Sequence, residues 1–119
     1  MPQIAAISIY VHDLAAAEQF YTKHLGFGVA SRPAPVITEL DHEGVSLVLC
    51  QASNPAQVAY SEDACTVIGI GVQNVEESLR QLKDAGASLV FDSPQEFPQG
   101  RFIAVRDPSG NVVELLQFG

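Results

Sequence analysis

One acidic residue interrupts an apolar pattern near the end of this 119-residue sequence. Glu114 lies between Val113 and Leu115 in the segment 101–118, where Val, Ile, Leu and Phe indicate a pair of half-buried strands. Because a buried carboxylate without a partner is costly, Glu114 must face solvent, a bonding partner or a cavity that uses its charge. A structural ion pair and contact with a ligand are therefore the two roles to distinguish.

The partner that the sequence offers to Glu114 is Arg101. The turn sequence Asp-Pro-Ser-Gly at 107–110 separates the two strands, since Pro presets φ and Gly accepts backbone angles that other residues avoid. With a two-residue loop, Ile103 would pair with Glu114, and Arg101 would be a diagonal neighbour on the same sheet face. The sequence thus predicts either an Arg101–Glu114 ion pair or a carboxylate that contacts a ligand.

The first strand of the chain supplies further candidates. Alternation over 4–11 predicts a strand, and Asp13 is suited to cap a helix over 14–24 that ends before Gly26. The apolar residues of this strand should pack against the helix, and the others should face away from it. The residues predicted to face away are Ala6, Ser8 and Tyr10.

The second half of the sequence repeats the pattern of the first half. A strand near 68–72, the cap Asn74 and a helix that ends before Gly86 correspond to the first strand, cap and helix. Residues 42–51 align in the same way with 108–117. Each half therefore reads strand–helix–strand–strand–strand.

These repeats predict the organisation of the chain. Module 1 covers about 1–51, a polar and turn-rich linker covers 52–64, and module 2 covers about 65–119. The stretch 92–100, which holds two prolines and a glycine, is predicted to be a loop.

The hairpin of module 1 completes the set of polar candidates. By the same pairing argument, Ile37 should oppose Val48, and Glu39 should oppose Ser46. The residues predicted to contact a ligand share the face turned away from the helices: Ser8, Tyr10, Thr38 or Glu39, Ser46, Arg101 and Glu114. A few polar groups on a largely aliphatic wall are typical of a small-molecule pocket.

Composition narrows the class of partner. The net charge of −8 argues against nucleic acid and anionic membrane surfaces, and it is compatible with a cationic ligand. Cys50 and Cys65 form neither a CxxC motif nor a disulfide framework, which indicates a reducing, cytoplasmic setting. The first ten residues lack the basic lead and the cleavage site of a signal peptide.

The repeated modules, together with two local motifs, resemble a known family. The motifs are the strand–DL–helix–FY–LGF opening over 4–27 and the ending DPSGNVVEL at 107–115. They are similar to the vicinal oxygen chelate superfamily, which includes glyoxalase I, extradiol dioxygenases, and fosfomycin- and bleomycin-resistance proteins. The resemblance covers nearly the whole chain. It implies an α+β fold in which two βαβββ modules form a cupped mixed β-sheet with helices on the outside.

The resemblance also implies where a metal would bind. In metal-dependent members the ligands come from the first and last strands of each module, and the matching positions here are Ala6, Val48, Val67 and Glu114. Alkyl side chains cannot coordinate a cation, and a catalytic divalent ion typically needs about three protein ligands. We therefore expect neither a metal nor another cofactor.

The function that this resemblance favours is binding of a small molecule, as in the metal-free bleomycin-resistance proteins, which sequester a drug without destroying it. Such relatives imply a homodimer. The absence of Trp removes one source of the aromatic wall that drug binders generally use. The alternative is a glyoxalase-type lyase or isomerase, or a dioxygenase, with metal ligands at other positions. A third hypothesis is a regulatory or structural module with no pocket in use.

Overall fold

The computed structural model describes residues 1–119 and divides into two compact units, Met1–Ala56 and Gln57–Gly119. Each unit combines one β-sheet with helices, so the fold is α+β, as predicted. None of the helices has the length and apolarity that crossing a bilayer requires.

The first unit follows the predicted order of one strand, one helix and three strands. Its elements are β1 Ala6–Val11, α1 Leu14–Gln19 with a π-helical continuation over Phe20–His24, β2 Gly28–Ala34, β3 Ile37–Asp41 and β4 Ser46–Gln51. The strands lie in the order β1-β4-β3-β2, with β1 parallel to β4 and the other pairs antiparallel. The helix packs on β3 and β4.

Local sequence signals explain the ends of this helix. The side chain of Asp13 accepts a hydrogen bond from the backbone N of Ala16 at 3.0 Å, which satisfies a donor that the first turn leaves free. Gly26 has φ +86°, a conformation that few residues other than Gly adopt. The prediction of a capped helix over 14–24 is confirmed.

The second unit repeats this order with one additional strand. Its elements are β5 Ile68–Gly71, α2 Val75–Asp84, β6 Ser88–Leu89, β7 Gln95–Phe97, β8 Gly100–Arg106 and β9 Val112–Phe118. The strands lie in the order β5-β9-β8-β6, and β7 also pairs with β8. The prediction that 92–100 is only a loop was therefore wrong, because Gln95–Phe97 forms a ladder with β8. Asn74 caps α2 by accepting from the backbone N of Glu77 at 3.0 Å.

The register of the β8–β9 hairpin differs from the prediction by one residue. Ile103 pairs with Leu115, and Glu114 pairs with Ala104 instead. The reason is the loop, which holds Pro108–Gly110 between Asp107 and Asn111; the backbone N of Asp107 bonds to the O of Asn111 at 2.8 Å. Because side chains alternate along a strand, a shift of one residue moves Arg101 to the opposite face from Glu114.

The β3–β4 hairpin also differs from the predicted pairing, but without this consequence. Glu39 pairs with Val48 and Ile37 pairs with Cys50, a shift that preserves the predicted faces. Burial alternates accordingly: Leu47 and Leu49 are buried beneath the helix, while Glu39 and Val48 remain half-exposed.

Candidate functional site

Glu114 lies on β9, which has β5 on one side and β8 on the other. Its two neighbours in register are Gly69 and Ala104, the two smallest residue types. A Cβ at Gly69 would lie 2.7 Å from the Cδ1 of Leu116, so the Leu116 side chain extends over Gly69 and would have to shift to admit a larger residue there. The residues paired with the half-buried Glu114 on β5 and β8 therefore carry no side chain larger than a methyl group.

Tyr60 is the hydrogen-bond partner of this carboxylate. Its hydroxyl donates to Oε2 of Glu114, whereas Oε1 accepts no hydrogen bond from the protein. Burial, the hydrogen bond to the Glu114 carboxylate and the negative charge of that carboxylate together raise the pKa of Tyr60 to about 12. Tyr60 is therefore protonated and remains a donor throughout the neutral pH range.

Sequence analysis missed Tyr60 because it lies in the stretch interpreted as a linker. Arg106 holds that stretch in place, since its Nη1 donates to the carbonyl O of Val58 at 2.8 Å and to that of Gly110 at 3.4 Å. A turn follows, in which the backbone N of Asp63 bonds to the O of Ala59 at 2.8 Å. The available sequence signal was one aromatic residue in an otherwise polar segment.

A row of five aromatic rings begins at Tyr60. Successive ring centroids lie 5.9, 5.9, 6.0 and 5.7 Å apart in edge-to-face contact, in the order Tyr60, Phe91, Phe102, Phe97 and Phe118. By register, Phe102 shares the sheet face of Glu114. The second unit thus presents an aromatic row beside a carboxylate without using any Trp.

Arg101 lies on the other face and does not contact Glu114. Its Nη1 forms an ion pair with Oε1 of Glu76 on α2 at 2.6 Å. The predicted Arg101–Glu114 pair was wrong, because the hairpin register places Arg101 opposite Gln117 on the helix side of the sheet. The side chain of Gln117 in turn accepts from the backbone N of Val75 at 2.8 Å.

The first unit carries the other predicted residues on the sheet face turned away from its helix. Glu39 accepts hydrogen bonds from Oγ of Ser46 at 2.7 Å and Oγ of Ser31 at 3.0 Å, and these bonds lower the pKa of its carboxyl. Ser8 and Tyr10 share this face by register, and Tyr10 is 61% exposed. Contact of these residues with a ligand stays a prediction.

Thr38, the other option for the Glu39 position, belongs to the helix side. It is fully buried, and its hydroxyl donates to Oε2 of Glu18 on α1 at 2.6 Å. A groove of about 590 Å³ lies here between α1 and strands β2 and β3. Arg32 also bonds to Glu18, at 2.6 and 3.1 Å, and lowers the pKa of that carboxyl more than Thr38 does. Because the Arg32 guanidinium already pairs with Glu18, this groove offers a cation less unpaired negative charge than Glu114 does.

The positions that correspond to metal ligands do not fit a metal centre. Ala6 and Val48 are alkyl residues of β1 and β4, and Val67 directly precedes β5. No three side chains of the His, Cys, Asp or Glu type come together anywhere in residues 1–119. Of the four positions, only Glu114 has an atom that could coordinate a metal, and its Oε2 is bonded to Tyr60.

Comparison with known proteins identifies the family of this chain. The YurT protein of Bacillus subtilis (strain 168) is 24% identical, over 97% of this chain and 98% of its own length. The crystal structure of TnmS3, an antibiotic binding protein from Streptomyces sp. CB03234, has a TM-score of 0.73 and 23% identity, over 100% of this chain and 98% of that one.

The same fold is found in an enzyme. The crystal structure of lactoylglutathione lyase from Agrobacterium tumefaciens has a TM-score of 0.73 and 20% identity, over 97% of this chain and 92% of that one. At such identities these likenesses establish the fold and leave the activity to the site. The family model described as Glyoxalase/Bleomycin resistance protein/Dioxygenase superfamily matches residues 3–115, and the chain belongs to that superfamily.

Proposed function

We propose that this chain is a small-molecule binding protein that holds a basic organic ligand, without a metal, against Glu114 of the second unit. The observation that carries the proposal is the half-buried carboxylate with an unbonded Oε1, set between Gly69 and Ala104. An ammonium group at this oxygen would gain a charge-assisted hydrogen bond. Phe102 and its ring neighbours supply an apolar surface for the rest of the ligand.

Charge supports a cationic ligand over an anionic one. The net charge of −8 disfavours approach of anions at long range. The other charged residue on this sheet face, Arg106, makes no ion pair, and its Nη1 donates to two backbone carbonyls. The alternative of a metal-dependent lyase, isomerase or dioxygenase has no donor set at the family's ligand positions, since Ala6, Val48 and Val67 carry none.

The proposal is tested with 2-phenylethylammonium and its neutral analogue 2-phenylethanol, titrated by NMR in the presence of EDTA. We expect the ammonium probe to bind more tightly than the alcohol, and Glu114→Gln to weaken it at least about tenfold. Hydrogen bonds to charged groups contribute about 1.5–3 kcal/mol, and about 1.4 kcal/mol is a factor of ten. Glu96→Gln is the matched control, because it removes the same charge from an exposed position on β7.

Three results would count against this function. They are loss of probe binding in EDTA, equal affinity for the ammonium and the alcohol, and equal weakening by the Glu114 and Glu96 variants. The first would point to a metal-dependent site, and the other two would leave Glu114 as a structural partner of Tyr60.

We also propose that the chain is a homodimer in the cytoplasm. Strand β1 is at one edge of the first sheet and β5 is at one edge of the second, and each pairs with one other strand only. Edge strands of this kind are usually covered. Static light scattering at micromolar concentration should give twice the mass of one chain, and the mass of a single chain would contradict the proposal. The unpaired Cys50 and Cys65 support a reducing compartment.

A further inference from the structure

We propose that the ligand of the Glu114 site is an elongated amphiphile, an ammonium group on a long unbranched alkyl chain that lies along the sheet face toward Phe118. This inference rests on the proposed function and adds the shape of the ligand and the direction of its chain. Its basis is the unequal distribution of charged and apolar side chains on the two sides of Glu114 along this face.

One end of this sheet face carries a positive charge. Register places Arg106 and Val112 on the side of Glu114 that lies toward the start of β9. No carboxylate neutralises Arg106, since it makes none of the ion pairs of the chain. An ammonium held by Glu114 is repelled from this end, and an alkyl chain placed there would cover a charged guanidinium at a cost. The chain of the ligand is therefore directed toward the other end of β9.

The other end of the face has an apolar surface. Leu116 and Phe118 follow Glu114 on the same face of β9. Phe102 on β8 and Phe97 on β7 lie on this face too, and the Phe97 ring centroid is 6.0 Å from that of Phe102 and 5.7 Å from that of Phe118. Phe118 is 63% exposed, and the other three are half-exposed. A contiguous exposed apolar patch of this kind is typical of a binding surface.

The neighbouring strand β5 leaves room beside this surface. It presents two exposed glycines, Gly69 next to Glu114 and Gly71 next to Leu116. Leu116 extends over Gly69, whereas a Cβ at Gly71 would have no atom within 4 Å. The sheet is thus free of side chains at Gly71, which leaves space for an alkyl chain that passes Leu116 on its way to Phe118.

The length of the apolar surface favours an elongated ligand over a compact one. Phe118 is four residues beyond Glu114, and a strand rises about 3.4 Å per residue, so the surface extends about 14 Å from the carboxylate. A short chain covers only the part near Leu116, while a longer chain continues toward Phe118. Each methylene group that is buried raises the affinity by up to about fourfold.

The experiment compares n-butylammonium with n-octylammonium, titrated by NMR in EDTA into the wild type, Phe118→Ala and Ile4→Ala. In the wild type we expect the octyl probe to bind at least about tenfold more tightly. Phe118→Ala should weaken the octyl probe at least about threefold and the butyl probe by less than about 1.5-fold. Ile4→Ala is the control for non-specific adsorption, because it removes a side chain that is also exposed, at 72%, and lies in the first unit.

A second measurement locates the chain of the ligand in the wild type. Intermolecular NOEs from the terminal methyl group of n-octylammonium should reach the ring protons of Phe97 and Phe118. Their absence at saturation, or NOEs from this methyl group to Val112 or Arg106, would overturn the inference, because the chain would then not follow the apolar end of the face.

The outcomes separate this inference from the proposed function. Equal affinities for the butyl and octyl probes, or equal effects of Phe118→Ala and Ile4→Ala, would overturn the elongated ligand. In that case, weakening of both probes by Glu114→Gln would still support the proposed function. If Glu114→Gln left the binding of both probes unaltered, the inference and the proposed function would both be overturned.

Discussion

Replacing Asp107 with alanine should lower the free energy of unfolding by about 3 kcal/mol, since a buried donor left without a partner costs about 1–3 kcal/mol. Asp107 is 4% exposed, and its Oδ1 accepts from the backbone N of Ser109 and of Asn111, both at 2.9 Å. Oδ2 also accepts from Nδ2 of Asn111 at 3.1 Å. Ser109 is only 1% exposed, so water cannot replace the lost acceptor without opening the loop.

The matched control for this change is Asp41→Ala. Asp41 occupies the corresponding position in the sequence repeat, but it is exposed. We expect its removal to cost less than about 0.5 kcal/mol, as is usual for surface substitutions. Urea unfolding followed by circular dichroism measures both variants. Equal losses for the two would mean that the Asp107 bonds do not hold the loop together.

Gly100→Ala should be destabilising to a similar extent, by about 3 kcal/mol, because overpacking costs about 1–3 kcal/mol and sometimes more. A Cβ at Gly100 would lie 1.9 Å from the backbone O of Gln117 and 3.1 Å from the Cα of Phe118. These are atoms of the neighbouring strand β9, which cannot move aside as a flexible side chain would. Relief of the clash requires the end of the β8–β9 ladder to separate.

Gly71→Ala is the comparison that isolates this steric effect. A Cβ at Gly71 would have no atom within 4 Å, and this position has no positive φ. The substitution should therefore change the free energy of unfolding by no more than about 0.5 kcal/mol. Thermal and urea unfolding of the two variants should differ clearly. A Gly100→Ala protein as stable as Gly71→Ala would contradict the close approach of Gln117 to Gly100.

Local signals were sufficient to predict the helices and the faces of the first strands. Asp13, Asn74, Gly26 and Gly86 mark helix ends by hydrogen bonding and by φ, which depend only on neighbours in the sequence. Alternation in β1 likewise placed Ile9 and Val11 in the core. These properties are set within a few residues, so they can be read from one sequence.

The partner of Glu114 was not accessible by the same reasoning. The prediction of Arg101 as the partner depended on the number of residues assumed for the loop. An error of one residue moves a side chain to the opposite face of the sheet. The register of the β3–β4 hairpin also differed from the prediction, but by two residues, so Glu39 and Ser46 remained on the same sheet face and bond to each other. The observed partner, Tyr60, lies 54 residues from Glu114 in the sequence, and no periodic pattern connects the two.

The charge of the candidate site and the residue that bonds to it come from two different parts of the chain, which Arg106 joins through its contacts to Val58 and Gly110. The negative charge belongs to β9, inside the sheet, where most substitutions would disturb the core. The residue that donates a hydrogen bond to this carboxylate, Tyr60, belongs to a segment without helix or strand. Under the proposed function, a substitution at Tyr60 would change the surroundings of the Glu114 carboxylate and leave the charge itself on the sheet. The charge and its surroundings are thus carried by two different parts of the chain, which mutation can change separately.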